Sequence, residues 1–238
     1  MNNKFYKIII AEPPNKQYRL ICDMCLWKNS DNLILEKPIT NNHIKAKLLI
    51  NILNKNKNNI NYSLRYTKWF NSIYKYIHNN CNKVDIDIIW KFKGRHKKKR
   101  RQPWKTKHTE GGGVINYYGI DLIAILSDMG YSNVNKLNIF KQPTNKLNSW
   151  SSEFSSKKKL AKLNLYIDSY SNENIFCWQQ LNQNIIELES PFSLESYKFN
   201  GDNRIPTTIK FLKDEYSDIL NLKNMKVLEL WSRIESMI

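Results

Sequence analysis

The sequence predicts an α/β unit followed by an α+β domain with a large, open, mainly antiparallel sheet and flanking helices. Three observations predict this fold class. Two short β-branched runs, within residues 6–15 and 31–38, flank an amphipathic helical pattern at residues 15–28. An alternating apolar pattern typical of a half-exposed strand follows at residues 83–93. The tail from residue 206 to 238 has the pattern of two helices.

The first unit is predicted to be a βαβ motif. Its two strands are nearly continuous in apolar character, so we expect them to be parallel, buried on both faces and joined by a right-handed crossover. Thr40 is expected to cap a second helix that runs to about Leu53, and the polar residues 54–59 are expected to form a linker. Ligands in such sheets bind beyond the carboxyl ends of the strands, which places Ala11-Glu12-Pro13 and Glu36-Lys37-Pro38 at a binding crevice.

The later region is predicted to contain several strands and one internal helix. Further strands are expected at residues 136–140, 160–170, 175–180 and 184–190. The helix, at residues 111–130, follows three successive glycines that permit the close approach of another backbone. One of its faces is apolar, and the opposite stripe carries Tyr117, Asp121 and Asp128.

The formal charge of +17 suggests an anionic partner, but the basic residues are spread along the whole chain. We interpret most of this charge as a solvated surface. Residues 91–101 form a denser basic cluster, with three interpretations: a nucleic-acid patch, a loop that meets a phosphorylated substrate, or a solvated loop.

The four Cys are too few to suggest a disulfide framework. Cys22 and Cys25 form a CxxC, but it lies in a helical pattern and no second pair follows, so buried helix positions are favoured over a zinc site and no metal is expected. No apolar run reaches the roughly 18 residues that cross a bilayer, and no signal peptide is recognisable. We therefore expect a cytoplasmic protein without a membrane partner.

Four motifs occur in an order and spacing that resembles the Gfo/Idh/MocA oxidoreductase family, the glucose-fructose oxidoreductase and inositol dehydrogenase group. They are "AEPP", "LEKPIT", Trp104-Lys105 and "GGGVINYYGIDLI". The resemblance covers nearly the whole chain. It implies a Rossmann-like dinucleotide-binding domain at residues 1–58, an α/β sheet domain at residues 59–238 that mediates homodimerisation, and hydride transfer between NAD or NADP and a sugar, cyclitol or nucleotide-linked sugar.

The same resemblance assigns roles to individual residues. Lys37 would contact the nicotinamide ribose and the substrate hydroxyl, where a cation stabilises developing alkoxide charge. The cofactor cleft would be formed by Glu12, Pro13, Glu36, Pro38, Trp104 and Lys105. The simpler interpretation of Lys37 is a solvent-exposed strand end.

Two features depart from the family pattern. No Gly precedes residue 94, so the GxGxxG fingerprint is missing, and the chain begins where the family's fourth Rossmann strand would lie. This predicts a truncated Rossmann-like unit that binds NAD(P) poorly alone, with a separate chain that supplies the dinucleotide-binding half. In the helix, Tyr117 and Asp121 replace the usual Asp and His, which leaves Lys37, Tyr117 and Asp121 as the candidate catalytic set.

Three functions are therefore open. The first is an NAD(P)-dependent oxidoreductase that acts on a sugar-like substrate, which would be phosphorylated if the basic cluster meets it. The second is a catalytically inactive remnant or interaction protein. The third, an anion- or nucleic-acid-binding module, rests on residues 91–101 alone and is the least favoured.

Overall fold

The structure, a computed structural model, describes residues 8–27, 32–53, 57–79, 85–94, 103–141, 147–157, 160–180, 186–187, 205–213 and 218–238. The helices and strands, in chain order, are β1 (Ile8–Ile10), α1 (Pro14–Trp27), β2 (Asn32–Glu36), α2 (His43–Leu53), β3 (Lys57–Asn61), α3 (Lys68–Asn79), β4 (Ile86–Lys93), α4 (Ile120–Met129), β5 (Tyr131–Lys141), β6 (Leu147–Ser156), β7 (Leu163–Asp168), β8 (Tyr170–Gln180), β9 (Ile186–Glu187), α5 (Ile205–Lys213) and α6 (Asp218–Glu235).

The first three strands form a parallel sheet in the order β1-β2-β3, with α1 and α2 as the crossovers. This confirms the predicted parallel βαβ unit and adds a third strand to it. The predicted linker at residues 54–59 is wrong at residues 57–59, because these belong to β3. Apart from Ile60, which is fully buried, β3 is composed of polar residues, so its pairing with β2 and not its hydrophobic pattern makes it a strand.

The predicted cap of α2 is also wrong. Asn42, rather than Thr40, caps this helix, because its side-chain Oδ1 accepts the backbone N–H of Lys45 at 3.0 Å. Thr40 lies before the helix and is fully buried. The helix still ends at Leu53, as predicted.

The second sheet has the strand order β5-β6-β7-β4-β8-β9. β4 and β7 are parallel, and every other neighbouring pair is antiparallel. This confirms the prediction of a mainly antiparallel sheet. It also includes β6, a serine-rich strand that the hydrophobic pattern did not reveal, with Trp150 and Phe154 fully buried along it.

The C-terminal helix α6 packs against both parts of the fold. It contacts α2 and strand β3 of the first sheet, and also α4 and strand β5 of the second sheet. Its residues Trp231 and Ile234 are fully buried. The two tail helices confirm the prediction for residues 206–238. None of the described helices combines the length and the apolar character that a membrane span requires.

The helix predicted at residues 111–130 begins with a π-helical turn, Val114–Gly119, and continues as α4. The preceding glycines are required by the backbone. Gly111 and Gly113 have φ values of 84° and 76°, and a Cβ on Gly112 would lie 2.0 Å from the carbonyl oxygen of Trp104. The GGG segment therefore lets the Trp104 segment pack directly against the start of this helix.

Candidate active site

Lys37 directly follows β2, where it precedes a cis peptide bond to Pro38. Its ammonium group lies 2.7 Å from Oδ2 of Asp121 and also donates a hydrogen bond to the carbonyl oxygen of Tyr117. It lies 4.8 Å from the centre of the Tyr117 ring. The side chains of Lys37 and Asp121 are only 13% and 5% exposed, so Lys37 is not a solvent-exposed strand end.

The electrostatic environment keeps Lys37 protonated. Burial lowers the pKa of its ammonium group, but the Asp121 carboxylate, together with Tyr117 and Glu36, more than compensates, so that the net pKa is raised above the ordinary 10.5. The group is therefore an ammonium ion at neutral pH, suited to stabilising negative charge rather than to accepting a proton.

Trp104 and Lys105 also reach this site. The Trp104 ring packs edge-on against Tyr117, with centroids 5.7 Å apart. The Lys105 ammonium lies 5.2 Å from the Tyr117 ring and 5.7 Å from the Trp104 ring. Three of the sequence-predicted residues, Lys37, Trp104 and Lys105, thus surround the Tyr117 ring, and Asp121 joins them through Lys37.

The neighbouring Tyr118 packs behind Tyr117, with their ring centroids 4.9 Å apart. It contacts Phe92 of β4 on its other side, at 4.7 Å. Burial and the neighbouring Tyr117 raise the pKa of the Tyr118 phenol, so it remains neutral. Tyr118 thereby links the helix to the second sheet.

The remaining predicted residues lie at the strand ends, but they do not all join the cluster. The Glu36 carboxylate accepts a 2.6 Å hydrogen bond from Nδ2 of Asn61, at the end of β3. Pro38 is buried beside it, whereas Glu12 is exposed and Pro13 half-buried at the end of β1. Among the described residues, no hydrogen bond or ion pair connects Glu12 to Lys37.

Asp121 retains an available oxygen. Its Oδ1 is buried and has no hydrogen-bond partner among the residues that the structure describes. A buried acceptor without a partner is costly, and it fits a site that receives a ligand hydroxyl. Asp128, on the same predicted stripe, is instead bound by Arg65 through two hydrogen bonds of 2.7 and 2.8 Å.

Sequence reasoning missed Gln17, Asn61 and Arg65 as partners of the predicted residues. Asn61 was missed because β3 was not predicted as a strand, and its first three residues were assigned to the linker at residues 54–59. The buried position of Gln17 beside the Lys37 turn follows from a long-range contact between α1 and β2. The i, i+4 spacing of Gln17 and the buried Ile21 is the one local signal of its burial.

The predicted basic cluster is described only in part. Lys91 pairs with Glu173 at 2.7 Å and Lys93 bonds to Asn172 at 3.2 Å, both on the surface of the second sheet. Residues 95–101 lie outside the described residues. A separate cationic cleft of about 430 Å³ lies between the first halves of α1 and α2 and is lined by Asn15, Lys16, Tyr18, Arg19, Asn41 and Lys45.

No protein-family model matches this sequence, and no curated protein matches it significantly. Solved structures do match its fold. The WlbA (WbpB) dehydrogenase from Thermus thermophilus, crystallised with NAD and α-ketoglutarate, superposes with a TM-score of 0.68 over 98% of this chain and 73% of its own, at 11% identity. The WlbA dehydrogenase from Bordetella pertussis, with NADH and UDP-GlcNAcA, gives a TM-score of 0.69 at 8% identity, over 98% and 78%.

A third similar structure is KijD10, a 3-ketoreductase from Actinomadura kijaniata in complex with NADP and TDP-benzene. Its TM-score is 0.68 at 8% identity, with 97% of this chain and 78% of KijD10 covered. At such identities the likeness establishes the fold alone: a Rossmann-like parallel unit joined to an α/β sheet domain, as in these three structures.

Proposed function

We propose that this chain forms the nicotinamide and substrate side of an NAD(P)-dependent oxidoreductase of the Gfo/Idh/MocA type. The observation that carries the proposal is the buried Lys37–Asp121 pair beside the Trp104–Tyr117 aromatic contact. The pair lies at the carboxyl end of a parallel strand, where open α/β sheets bind their ligands. The substrate class is a sugar, a cyclitol or a nucleotide-linked sugar.

The proposed chemistry is the oxidation of a substrate hydroxyl, or its reverse. The Lys37 ammonium stabilises the alkoxide character of the reacting oxygen, and its raised pKa keeps it charged in this role. Oδ1 of Asp121 accepts the hydroxyl proton, for which it is available as a buried oxygen without another partner among the described residues. Tyr117 holds the Lys37 ammonium in place through its carbonyl oxygen and ring.

The described residues fit one end of the cofactor. A nicotinamide dinucleotide, when bound, supplies the hydride acceptor or donor. Lys37, Trp104 and Tyr117 would hold its nicotinamide end, since they offer an ammonium group and two aromatic faces. The loop after β1, Ala11-Glu12-Pro13, contains no glycine to cradle a pyrophosphate. We infer that polypeptide outside these 238 residues holds the adenosine end.

The free edge of β1 is the proposed docking place for that polypeptide. Among the described strands, β1 pairs only with β2. Its Ile9 is 58% exposed, which is unusual for the apolar strand of a parallel sheet. A further parallel strand at this edge would pair with the free backbone groups of β1, and the helix of its crossover would cover the sheet face beside it.

A phosphorylated or nucleotide-linked sugar is the preferred substrate class. The cleft between α1 and α2 presents Lys16, Arg19 and Lys45, and Lys45 is held by Asn41 at 3.1 Å. Asn41 in turn donates to the Thr109 carbonyl at 3.0 Å, so the cleft is connected to the segment that precedes the GGG turn. Cationic groups of this kind pair with phosphate.

Titration with NADH and with NADPH tests the proposal, with binding measured as the quenching of Trp fluorescence. We expect weak binding that is lost in Lys37→Met and retained in Lys75→Met, a matched control on the exposed face of α3. Equal affinity of both variants and the wild type would reject the role of Lys37.

The alternative function is a catalytically inactive relative of such an enzyme. It is favoured by the ion pair itself, because Asp121 and Tyr117 already occupy the Lys37 ammonium that a substrate oxygen would need. Cofactor-dependent turnover of a sugar-like substrate by the protein would exclude it. A nucleic-acid-binding role rests on residues 91–101 and predicts binding that weakens steeply with salt.

A further inference from the structure

Gln17 is a fully buried polar side chain beneath the Lys37 turn. It lies on α1, and every one of its side-chain hydrogen-bonding groups is directed at the backbone on either side of Lys37. Its Nε2 donates to the carbonyl oxygens of Glu36 and Pro38, at 2.6 and 3.2 Å. Its Oε1 accepts the backbone N–H of Glu36 at 3.3 Å.

This pattern requires a side-chain amide. The turn presents two acceptors and one donor, and an amide offers two N–H donors and a carbonyl acceptor in one plane. Glutamate would face both carbonyl oxygens with a carboxylate, and methionine would fill the space but remove all three of these hydrogen bonds. Gln17 also anchors α1 to β2 through these contacts, 19 and 21 residues away in sequence.

We propose that Gln17 is the positioning residue of the active site, which fixes the Glu36-Lys37-Pro38 backbone so that the Lys37 ammonium meets Asp121 and Tyr117. It does not touch the reacting groups itself. The role rests on the proposed function of Lys37, since it describes how that side chain is held for catalysis. The hydrogen bonds that hold the backbone on both sides of Lys37 are made without any ligand.

Competitive amine acylation, read out at Lys37 by peptide mass spectrometry, tests the proposal without substrate or cofactor. In the wild type we expect Lys37 to react slowly, because it is buried, protonated and paired. In Gln17→Met the loosened turn should release the ammonium from Asp121 and Tyr117, and labelling of Lys37 should rise severalfold, because the amine is then less protected and no longer paired with a carboxylate.

Asn224→Leu is the matched control. Asn224 is equally buried, and its Oδ1 accepts a hydrogen bond from Arg65, away from the Lys37 turn. This variant should lose a similar amount of stability with no change in Lys37 labelling. Gln17→Glu is the second test variant, for the case in which Gln17→Met does not fold, and it should also raise labelling.

Two results would overturn the positioning role: unchanged Lys37 labelling in a folded Gln17 variant, or an equal rise in Asn224→Leu. NADH titration of the same variants separates this outcome from the proposed function. Raised labelling with no NADH binding in the wild type would support the positioning role and reject the oxidoreductase. Normal NADH binding by Gln17→Met with unchanged labelling would support the oxidoreductase and reject the positioning role of Gln17.

Discussion

Two carboxylates of α4, Asp121 and Asp128, each form a buried ion pair with a cation from another part of the chain, and the two pairs differ in the number of contacts that they make. Arg65 and Asp128 form a bidentate pair, and Arg65 also donates to Asn224 at 2.6 Å and stacks 4.8 Å from the Tyr62 ring. Lys37 and Asp121 form a single contact of 2.7 Å, and Oδ1 of Asp121 has no hydrogen-bond partner among the described residues.

We interpret the difference as that between a structural pair, Arg65–Asp128, and the pair of the proposed active site, Lys37–Asp121. At Arg65 the guanidinium fork meets both oxygens of the Asp128 carboxylate, and a further bond to Asn224 links α4 to α6 through Arg65. At Lys37 an ammonium ion and an unpartnered oxygen remain beside aromatic rings. Such incompletely satisfied groups cost stability and are retained where a ligand completes them.

Asp128→Asn should produce the largest loss of stability. It leaves the Arg65 guanidinium buried without its counter-ion, because Arg65 is only 6% exposed. Breaking a buried pair in this way typically costs about 3–5 kcal/mol. Urea unfolding followed by circular dichroism measures the change. A loss below about 1 kcal/mol would show that the Arg65–Asp128 pair does not stabilise the fold.

Asp121→Asn should cost less than Asp128→Asn, about 1–3 kcal/mol, because the Lys37 ammonium keeps the Tyr117 carbonyl and an amide oxygen as acceptors and is less completely buried than Arg65. The same unfolding measurement applies. If Asp121→Asn destabilised the protein as much as Asp128→Asn does, the proposed difference between the Lys37–Asp121 and Arg65–Asp128 pairs would be wrong.

The contribution of Lys37 to stability should decrease at alkaline pH, whereas the contribution of Arg65 should stay constant. A group whose folded pKa is raised contributes fully below its unfolded pKa of 10.5 and loses this contribution as the pH rises through the folded value. The difference in unfolding free energy between the wild type and Lys37→Met should therefore narrow above about pH 10.5.

Arg65→Met is the control for this pH series. Guanidinium groups do not lose their proton in this pH range, so the difference between Arg65→Met and the wild type should remain constant. A Lys37→Met difference that widened with pH would contradict the raised pKa.

The smallest expected change in the free energy of unfolding concerns the open face of the second sheet. The predicted homodimer would use this face, on which Tyr166 lies between Ile89 of β4 and Ser151 of β6. Tyr166→Asp should convert the dimer to a monomer, as measured by light scattering during gel filtration, while the stability of the monomer changes by about 0.5 kcal/mol or less. A wild type that is monomeric at micromolar concentration would reject the dimer.

Local patterns were sufficient to predict the elements with strong periodicity. The apolar runs of β1 and β2, the alternation of β4 and the apolar face of α4 predicted their structures correctly. β3 and β6 could not be predicted in this way. Their polar residues have low strand propensity, and they are strands because neighbouring strands supply hydrogen bonds.

The site followed the same division. The sequence motifs indicated Lys37, Trp104, Lys105, Tyr117 and Asp121, which the fold brings together. The supporting residues Gln17 and Asn61 act through contacts between elements far apart in sequence, so local patterns do not reveal which residues they bind. The i, i+7 spacing of Asp121 and Asp128 predicted a shared stripe, but only the position of Arg65 distinguishes the two carboxylates.

The central claim is that these residues bind the nicotinamide end of a dinucleotide and leave its adenosine end unbound. A direct test is to compare the affinities of the wild-type protein for reduced nicotinamide mononucleotide and for NADH by isothermal titration calorimetry. The two dissociation constants should agree within about threefold, a difference below 1 kcal/mol, and both ligands should lose affinity in Lys37→Met. NADH binding that is about a hundredfold tighter than mononucleotide binding would contradict the claim.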